Sequence, residues 1–530
     1  MMPHTVHERQ AVEVAPPIHN FILHRDILWN IFVLNADMDA PTDPDLQYSS
    51  AGGTRQFVFS PLTVLRCSSQ VCQSWREIIL EAPSLWSRVI DLDILRISPL
   101  KWREEVMERT GDAPLHVKGR VSESGDQNLF VWIISTFGAR IRYLDVFGVP
   151  DSLSLASARS FLQHPVPCLE SFKLQIGRIM PSGDHNLSLF SDNAPSLRSY
   201  FHTGIHFDIE TPWLSNLCNL YLCSHIGLCE LLKILSRTPR LEFLKVERGV
   251  LDDPGLEVPL CHATLIYLKE IDIYDQLLTS VLLLDNLVPA AGCRLCLRTP
   301  DHLGDQREIM KAHTLRMIEG VFSRYTQHYF ASRAPRQLSL EINREAVILS
   351  ARIHPTQKGI CPDFVLSVMC HGGVSQEFLQ VVLSPFLSCN VKRVTHLDLD
   401  LAFAHRRRLG QCVTNLKSLL NSLTDVHNLH TTAKTLEILS EYGRPVFPLL
   451  HTVSFRYFIP GDSAKAVYGF MSSRKKAGAS TIHTLDFTRS NTPESCFLPF
   501  VQHLPGVEVL PKRRDIREDR PVLKDCAMDL

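Results

Sequence analysis

The sequence predicts an α/β chain in two parts: a small helical domain near the N-terminus, then a solenoid of parallel strands alternating with helices. Two observations predict it. From residue 140 on, a pattern of apolar, two residues, apolar, one residue, apolar returns about every 25 residues. Ahead of it lie two amphipathic segments carrying tryptophan, separated by a stretch rich in Pro, Gly, Asp and Ser. At 530 residues the chain exceeds one ordinary domain, and 45% hydrophobic with 21% charged residues provides for a large core.

The repeated pattern is Ile141-Leu144-Val146, Leu169-Phe172-Leu174, a degenerate Leu197-Tyr200-His202, Leu217-Leu220-Leu222, Leu241-Leu244-Val246 and Leu268-Ile271-Ile273. It resumes at Val394-Leu397-Leu399, Val426-Leu429-Thr431, Leu450-Val453-Phe455 and Ile482-Leu485-Phe487, and fades at Val507-Leu510. The last two apolar positions of each copy are two apart and share one face of a strand. Between copies lie helical runs such as "LCELLKILSRTP" (228–239). One strand and one helix cannot bury their own apolar faces, so the units must stack, with Glu242 and Lys245 expected at the surface. The motif and period resemble leucine-rich repeats, in an irregular form without the Asn/Cys ladder position.

Register is lost over about 298–393. There "QREIMKAHTLRMIEGVFSRYTQHYF" predicts a long helix, and "RQLSLEI", "AVILSARI" and "DFVLSVM" predict longer strands or inserted hairpins.

In the N-terminal part, "LHRDILWNIF" (23–32) places Leu23, Ile27, Leu28, Ile31 and Phe32 along one helical stripe. A helix over 61–80 carries Leu65, Val71, Cys72, Trp75, Ile78 and Ile79 on one face. Pro83 stops it, and Trp86 anchors the next turn. Residues 35–56 are a loop by composition. In this order the pieces resemble an F-box over residues 18–90. "LHRDILWNIF" is similar to that family's first helix, and "VCQSWREIILEAPSLW" to its fungal-type ending. "LKWREEVMERTGDAPLHV" (100–117) is similar to the segment that follows the F-box in large mushroom-type families. The departures are His24 and Arg25 where the family has prolines, and Asp26 where it has Glu.

The resemblance implies a Skp-family adaptor, and through it a cullin of a ubiquitin ligase, docked on Leu23, Ile27, Leu28, Ile31, Phe32, Leu65, Val71, Cys72, Trp75 and Trp86. The repeat domain would bind an unknown protein substrate. The other reading is a helical cap sealing the first repeat, on a leucine-rich scaffold with no ligase attached. Trp75 and Trp86 are core or contact on either reading. The implied organisation is a disordered 1–17, the F-box-like 18–90, a linking helix and strand over 91–120, the solenoid over 121–510 and a polar tail over 511–530.

No catalytic constellation emerges: G-x-S-x-G, H-E-x-x-H, the P-loop and G-x-G-x-x-G are all absent, and the 23 histidines form no local triad arrangement. The expectation is no enzyme, no cofactor and no metal. The one C-x-x-C, Cys293 to Cys296, lies in an alternating run whose sulfurs point to opposite faces. Cys67 and Cys72 are expected as small buried thiols. Fifteen cysteines without an apolar leader imply reduced thiols and a cytoplasmic or nuclear chain. A net charge of -1 argues against nucleic acid. The basic runs Arg406–Arg408, Arg474–Lys476 and Lys512–Arg514 are expected as solvated loops. Residues 277–297, with Asp285 and Pro289 inside, predict a buried helix and strand rather than a membrane span.

Overall fold

The computed structural model describes residues 24–38, 60–121, 127–149, 161–176, 189–203, 207–223, 226–247, 250–251, 260–299, 311–331, 333–353, 362–370, 373–402, 414–442, 445–459, 461–488, 490 and 506–511. The expected disordered 1–17, residues 39–56 of the expected loop 35–56, residues 512–530 of the expected tail 511–530 and the basic runs 406–408 and 512–514 lie outside them. The protein is mixed α/β, with a large, mostly parallel sheet and helices between its strands. It divides into two compact units, Met1–Leu153 and Ser154–Leu530.

The first unit begins with α1 (Arg25–Asn35), α2 (Pro61–Ser68), α3 (Gln73–Leu80) and α4 (Pro83–Trp86). It continues through β1 (Ile90–Asp91), α5 (Leu92–Leu95), α6 (Leu100–Arg109), β2 (Leu115–Arg120), α7 (Gln127–Phe137) and β3 (Ile141–Val149). Helix α1 packs on α2 and α3. The strands pair in parallel, Ile90 beside Val117 and Val117 beside Leu144. Trp86 is fully buried; it donates Nε1 to the Ile79 carbonyl at 2.8 Å and lies edge-on to Trp102. The Arg109 guanidinium covers its ring at 4.7 Å.

The helix expected over 61–80 is two helices. Cys72 is extended, with φ -156° and ψ 169°, and precedes α3 as its N-cap. Ser69 buries between the two helices and donates its hydroxyl to the Arg66 carbonyl at 2.7 Å, drawing the chain into the turn. This break puts Cys67 and Cys72 at the surface rather than in the core where they were expected.

The second unit runs through β4 (Ser171–Ile176), β5 (Ser199–Thr203), β6 (Asn219–Leu222), β7 (Ile226–Gly227), α8 (Leu228–Ser236), β8 (Phe243–Glu247), β9 (Val250–Leu251), β10 (Ala263–Leu265), β11 (Glu270–Tyr274), α9 (Leu277–Asp285), β12 (Leu287–Pro289) and β13 (Arg294–Arg298). Then come α10 (Ala312–Phe330), β14 (Gln337–Ile342), β15 (Ala346–Arg352), β16 (Phe364–Met369) and α11 (Gln376–Leu387). The last part holds β17 (His396–Leu401), α12 (Thr414–Ser422), β18 (Asn428–Thr431), α13 (Ala433–Ser440), β19 (Thr452–Phe455), α14 (Asp462–Lys476), β20 (Thr484–Asp486) and β21 (Glu508–Leu510).

Strands β4, β5, β6, β8, β11 and β13 pair in parallel and in chain order. So do β17 to β21. Their stacking follows from the repeat: Leu220 sits beside Leu244, and Leu244 beside Ile271. Every apolar side chain named in the nine intact copies is buried, and so is Tyr200 of the degenerate one. The arrangement is compatible with an α/β solenoid. Short parallel pairs β7–β9 and β10–β12 repeat the stacking beyond the main sheet.

The irregular stretch is three antiparallel-linked strands spliced into the same sheet. The local order is β13, β16, β15, β14, β17, with parallel pairing at both outer junctions. Phe364 of β16 anchors it, closed over by Tyr329 and Phe330 of α10 and Phe386 of α11. Successive helices α8 to α12 pack on one another, as do α13 and α14.

Residues 277–297 fold as α9, β12 and the start of β13, and no described helix is long and apolar enough to cross a membrane. The basic run Arg474–Lys476 is no solvated loop but the last turn of α14. Arg474 is buried, donating to the carbonyls of Val446 at 2.7 Å, Phe447 at 3.2 Å and Ser480 at 3.2 Å. A guanidinium with five donors suits a site where several carbonyls converge.

Candidate interaction surfaces

Each unit carries one surface. On the first, α1 starts at His24, whose φ of -58° and ψ of 144° are values a proline would also take. Its Nδ1 accepts from the Asp26 backbone N–H at 3.4 Å, so histidine supplies a weak cap where the resembling family has proline. Of the residues expected to meet an adaptor, Leu28, Phe32, Leu65 and Trp86 are core. Ile31 and Trp75 are half-buried, the Trp75 ring edge-on to Phe32 at 5.2 Å. Ile27 and Val71 are 50% and 62% exposed, and Cys72 is exposed beside Val71. Leu23 lies outside the described residues. Leu34, at 72% exposure, is an apolar surface residue the sequence stripe omitted. It sits seven positions after Ile27 on α1, which a 3.6-residue period places on nearly the same side.

On the second unit, strand residues alternate. The leucine-type positions face the helices, and the residues between them form an open face. Ladder registry aligns these residues in rows across the sheet. One row runs Lys173, Phe201, Tyr221, Lys245, Asp272, Cys296 and Val365. It continues through Ser350, Ser339, Asp398, His430, Ser454 and Asp486.

The first part of this face is aromatic and charge-paired. Phe201 and Tyr221 stack at 3.8 Å, with Lys173 and Lys245 over their outer faces at 5.4 Å and 4.6 Å. Tyr221 donates its hydroxyl to Glu247, which also meets Lys245 at 3.4 Å. Burial and that carboxylate push the Tyr221 phenol up, so it stays protonated. Burial would raise Glu247 too, but the Tyr221 hydroxyl and Lys245 outweigh it and hold the carboxyl below its ordinary value. Glu242 and Lys245, expected at the surface, are half-buried because their neighbours on adjacent strands cover them.

The last part of the face is acidic. Arg456, after β19, donates to Asp398 at 2.9 Å, to Glu341 at 3.0 Å and to Asp400 at 3.3 Å. Burial pushes the Asp400 carboxyl up, partly offset by Arg456. Burial opposes the charge on Arg456, but Asp398 and Glu341 more than restore it and raise its pKa.

Among the described residues no group of three or more His, Cys, Asp or Glu could hold a metal ion. Cys296 faces the open side, whereas Cys293 is buried at the strand's start, its thiol pushed up to about 12 by burial. Comparison with protein-family models and with curated proteins finds no match for this chain.

Proposed function

We propose that the protein is a substrate-recognition subunit of a Skp–cullin–F-box ubiquitin ligase, with no chemistry of its own. The N-terminal helices take the adaptor, and the open face of the sheet, an irregular leucine-rich solenoid on this reading, takes a protein substrate. The observation that carries the reading is the exposure of Ile27, Leu34 and Val71 among the described residues of 24–90, where the other large apolar side chains are buried or half-buried. Apolar side chains left in water beside a complete core favour a partner. The F-box-like succession of residues 18–90 names that partner as an adaptor of the Skp type. A scaffold without a ligase is the competing reading, and it predicts the same sheet with no adaptor. A pull-down of the tagged chain probed for adaptor and cullin separates the two: recovery of both supports the ligase subunit, and recovery of neither from folded protein leaves the scaffold.

A further inference from the structure

We infer that the acidic half of the open face, over β14 and β17 to β21, takes a lysine- or arginine-rich segment of the partner protein. The inference rests on the reading of that face as the recognition surface, and it names the class of what binds there.

Between β4 and β13 the open-face positions hold Lys173, Lys245, Arg294 and Arg298 against Glu247, Glu270 and Asp272. Those charges neutralise each other within the face. Lys245 meets Glu247 at 3.4 Å, Arg298 meets Asp272 at 2.8 Å, and Arg294 meets Glu270 at 3.7 Å. Over β14 and β17 to β21 the same positions hold Glu341, Asp398, Asp400, Asp486 and Glu508, and among the described residues Arg456 is the one Lys or Arg that pairs with them. Arg456 is shared by three carboxylates. Asp486 accepts from the Ser454 hydroxyl at 3.1 Å and the Thr488 N–H at 2.8 Å, neither of them a cation. Glu508 is exposed. The face therefore keeps an excess of negative charge that its own strands do not neutralise.

Geometry adds a direction. Between the two halves, β13, β16 and β15 place Cys296, Val365, Ile348 and Met369 at open-face positions together with Ser350 and Ser367, and Arg352 stands at the end of β15 beside Gln337. Neighbouring strands lie about 4.8 Å apart, so Asp398 on β17 and Asp486 on β20 are separated by about 14 Å. An extended segment crossing the strands meets apolar side chains first and carboxylates next. Basic residues beyond an apolar pair fit that order, whereas phosphates would be repelled along the acidic half.

The test uses the full chain and three fluorescein-labelled probes in anisotropy titrations at low salt. They are a dodecapeptide with two leucines followed by alternating lysine and serine, the same peptide with glutamate for lysine, and a twelve-nucleotide oligo-dT. The lysine peptide is expected to bind at least about tenfold tighter than the glutamate peptide, and the variant Asp486→Asn/Glu508→Gln to lose about threefold of that affinity. Adding Asp398→Asn deepens the loss. Both substituted carboxylates in the first variant lie outside the Arg456 network, so unchanged melting is the control that the loss is local. Equal binding of the two peptides, an unaffected variant, or tighter binding of oligo-dT would overturn the inference. Adaptor co-elution is read on the same samples. Its absence with lysine-peptide binding intact counts against the ligase reading and leaves this one standing, and the converse removes only this one.

Discussion

Arg456 donates to Glu341 at 3.0 Å although 115 positions separate them. The contact crosses from the end of β19 over β18 and β17 to β14, which is possible only because these strands stand in the order β14, β17, β18, β19. Removing the guanidinium leaves Glu341, Asp398 and the nearly buried Asp400 without their cation. Arg456→Ala is expected to cost about 1–3 kcal/mol in urea unfolding, and Arg456→Lys less, since lysine restores charge without the fork. Two variants of equal stability to the parent would mean that the network contributes nothing.

Leu244 tests the stacking itself. It is fully buried between Leu220 and Ile271 on the flanking strands. Leu244→Ala is expected to cost about 2–5 kcal/mol, because a core between rigid strands collapses poorly onto a cavity. Lys245→Ala, one residue on, removes a partly exposed cation that lies over Tyr221 and pairs with Glu247, and should cost no more than about 1 kcal/mol. Chemical denaturation of the pair measures the contrast, and similar losses would contradict the inward and outward assignment.

Arg474 is a buried cation that donates to the carbonyl oxygens of Val446, Phe447, Leu450 and Ser480 and to the Ser480 hydroxyl. Burial pushes its pKa down. Arg474→Met fills similar volume but strands those acceptors, and a loss of about 3 kcal/mol or more is expected from several buried groups left unpaired. Lys475→Met, next along an exposed face, is the control and should be near neutral.

His427, His451 and His483 occupy one position in three successive repeats. His451 N–H bonds the His427 carbonyl at 3.1 Å, and His483 N–H bonds the His451 carbonyl at 2.9 Å. Burial, then the neighbouring His427 and His483, lower the His451 pKa. Its folded value therefore lies below the unfolded one of about 6.5, so protonation favours the unfolded chain. Stability from this group is complete above about pH 6.5 and is lost as pH falls through the folded value. Melting temperature should fall less on acidification in His451→Asn than in the parent. A parallel fall in both would assign the acid sensitivity elsewhere.

The repeat was legible because period-two burial leaves a plain trace: Leu241, Leu244 and Val246 could be placed from spacing alone. The spliced strands were legible as strands, but not in their order. Nothing local in "RQLSLEI" or "DFVLSVM" says that β16 returns beside β13 while β14 pairs with β17, since that is set by long-range contacts such as Phe364 with Phe386. Arg474 was misread because a basic triplet looks solvated until the carbonyls converging on it are known. Cys67 and Cys72 were misread because one helix was assumed through a turn at Ser69. At the proposed adaptor surface, periodicity points to the stripe Leu28 and Phe32, which is core. It missed Leu34, whose exposure depends on which side α2 and α3 cover.

That last point fixes the measurement that tests the proposed function most directly. Ile27→Asp/Val71→Asp alters two exposed side chains, so the helical unit should keep its fold, whereas Leu28→Asp places a charge in the core and should unfold it. Purified chain is mixed with a Skp-type adaptor and followed by size-exclusion chromatography, with circular dichroism on the same fractions. The account predicts that the parent co-elutes with the adaptor and that the folded double variant does not. A folded parent that elutes alone, or a double variant that co-elutes as the parent does, would contradict it.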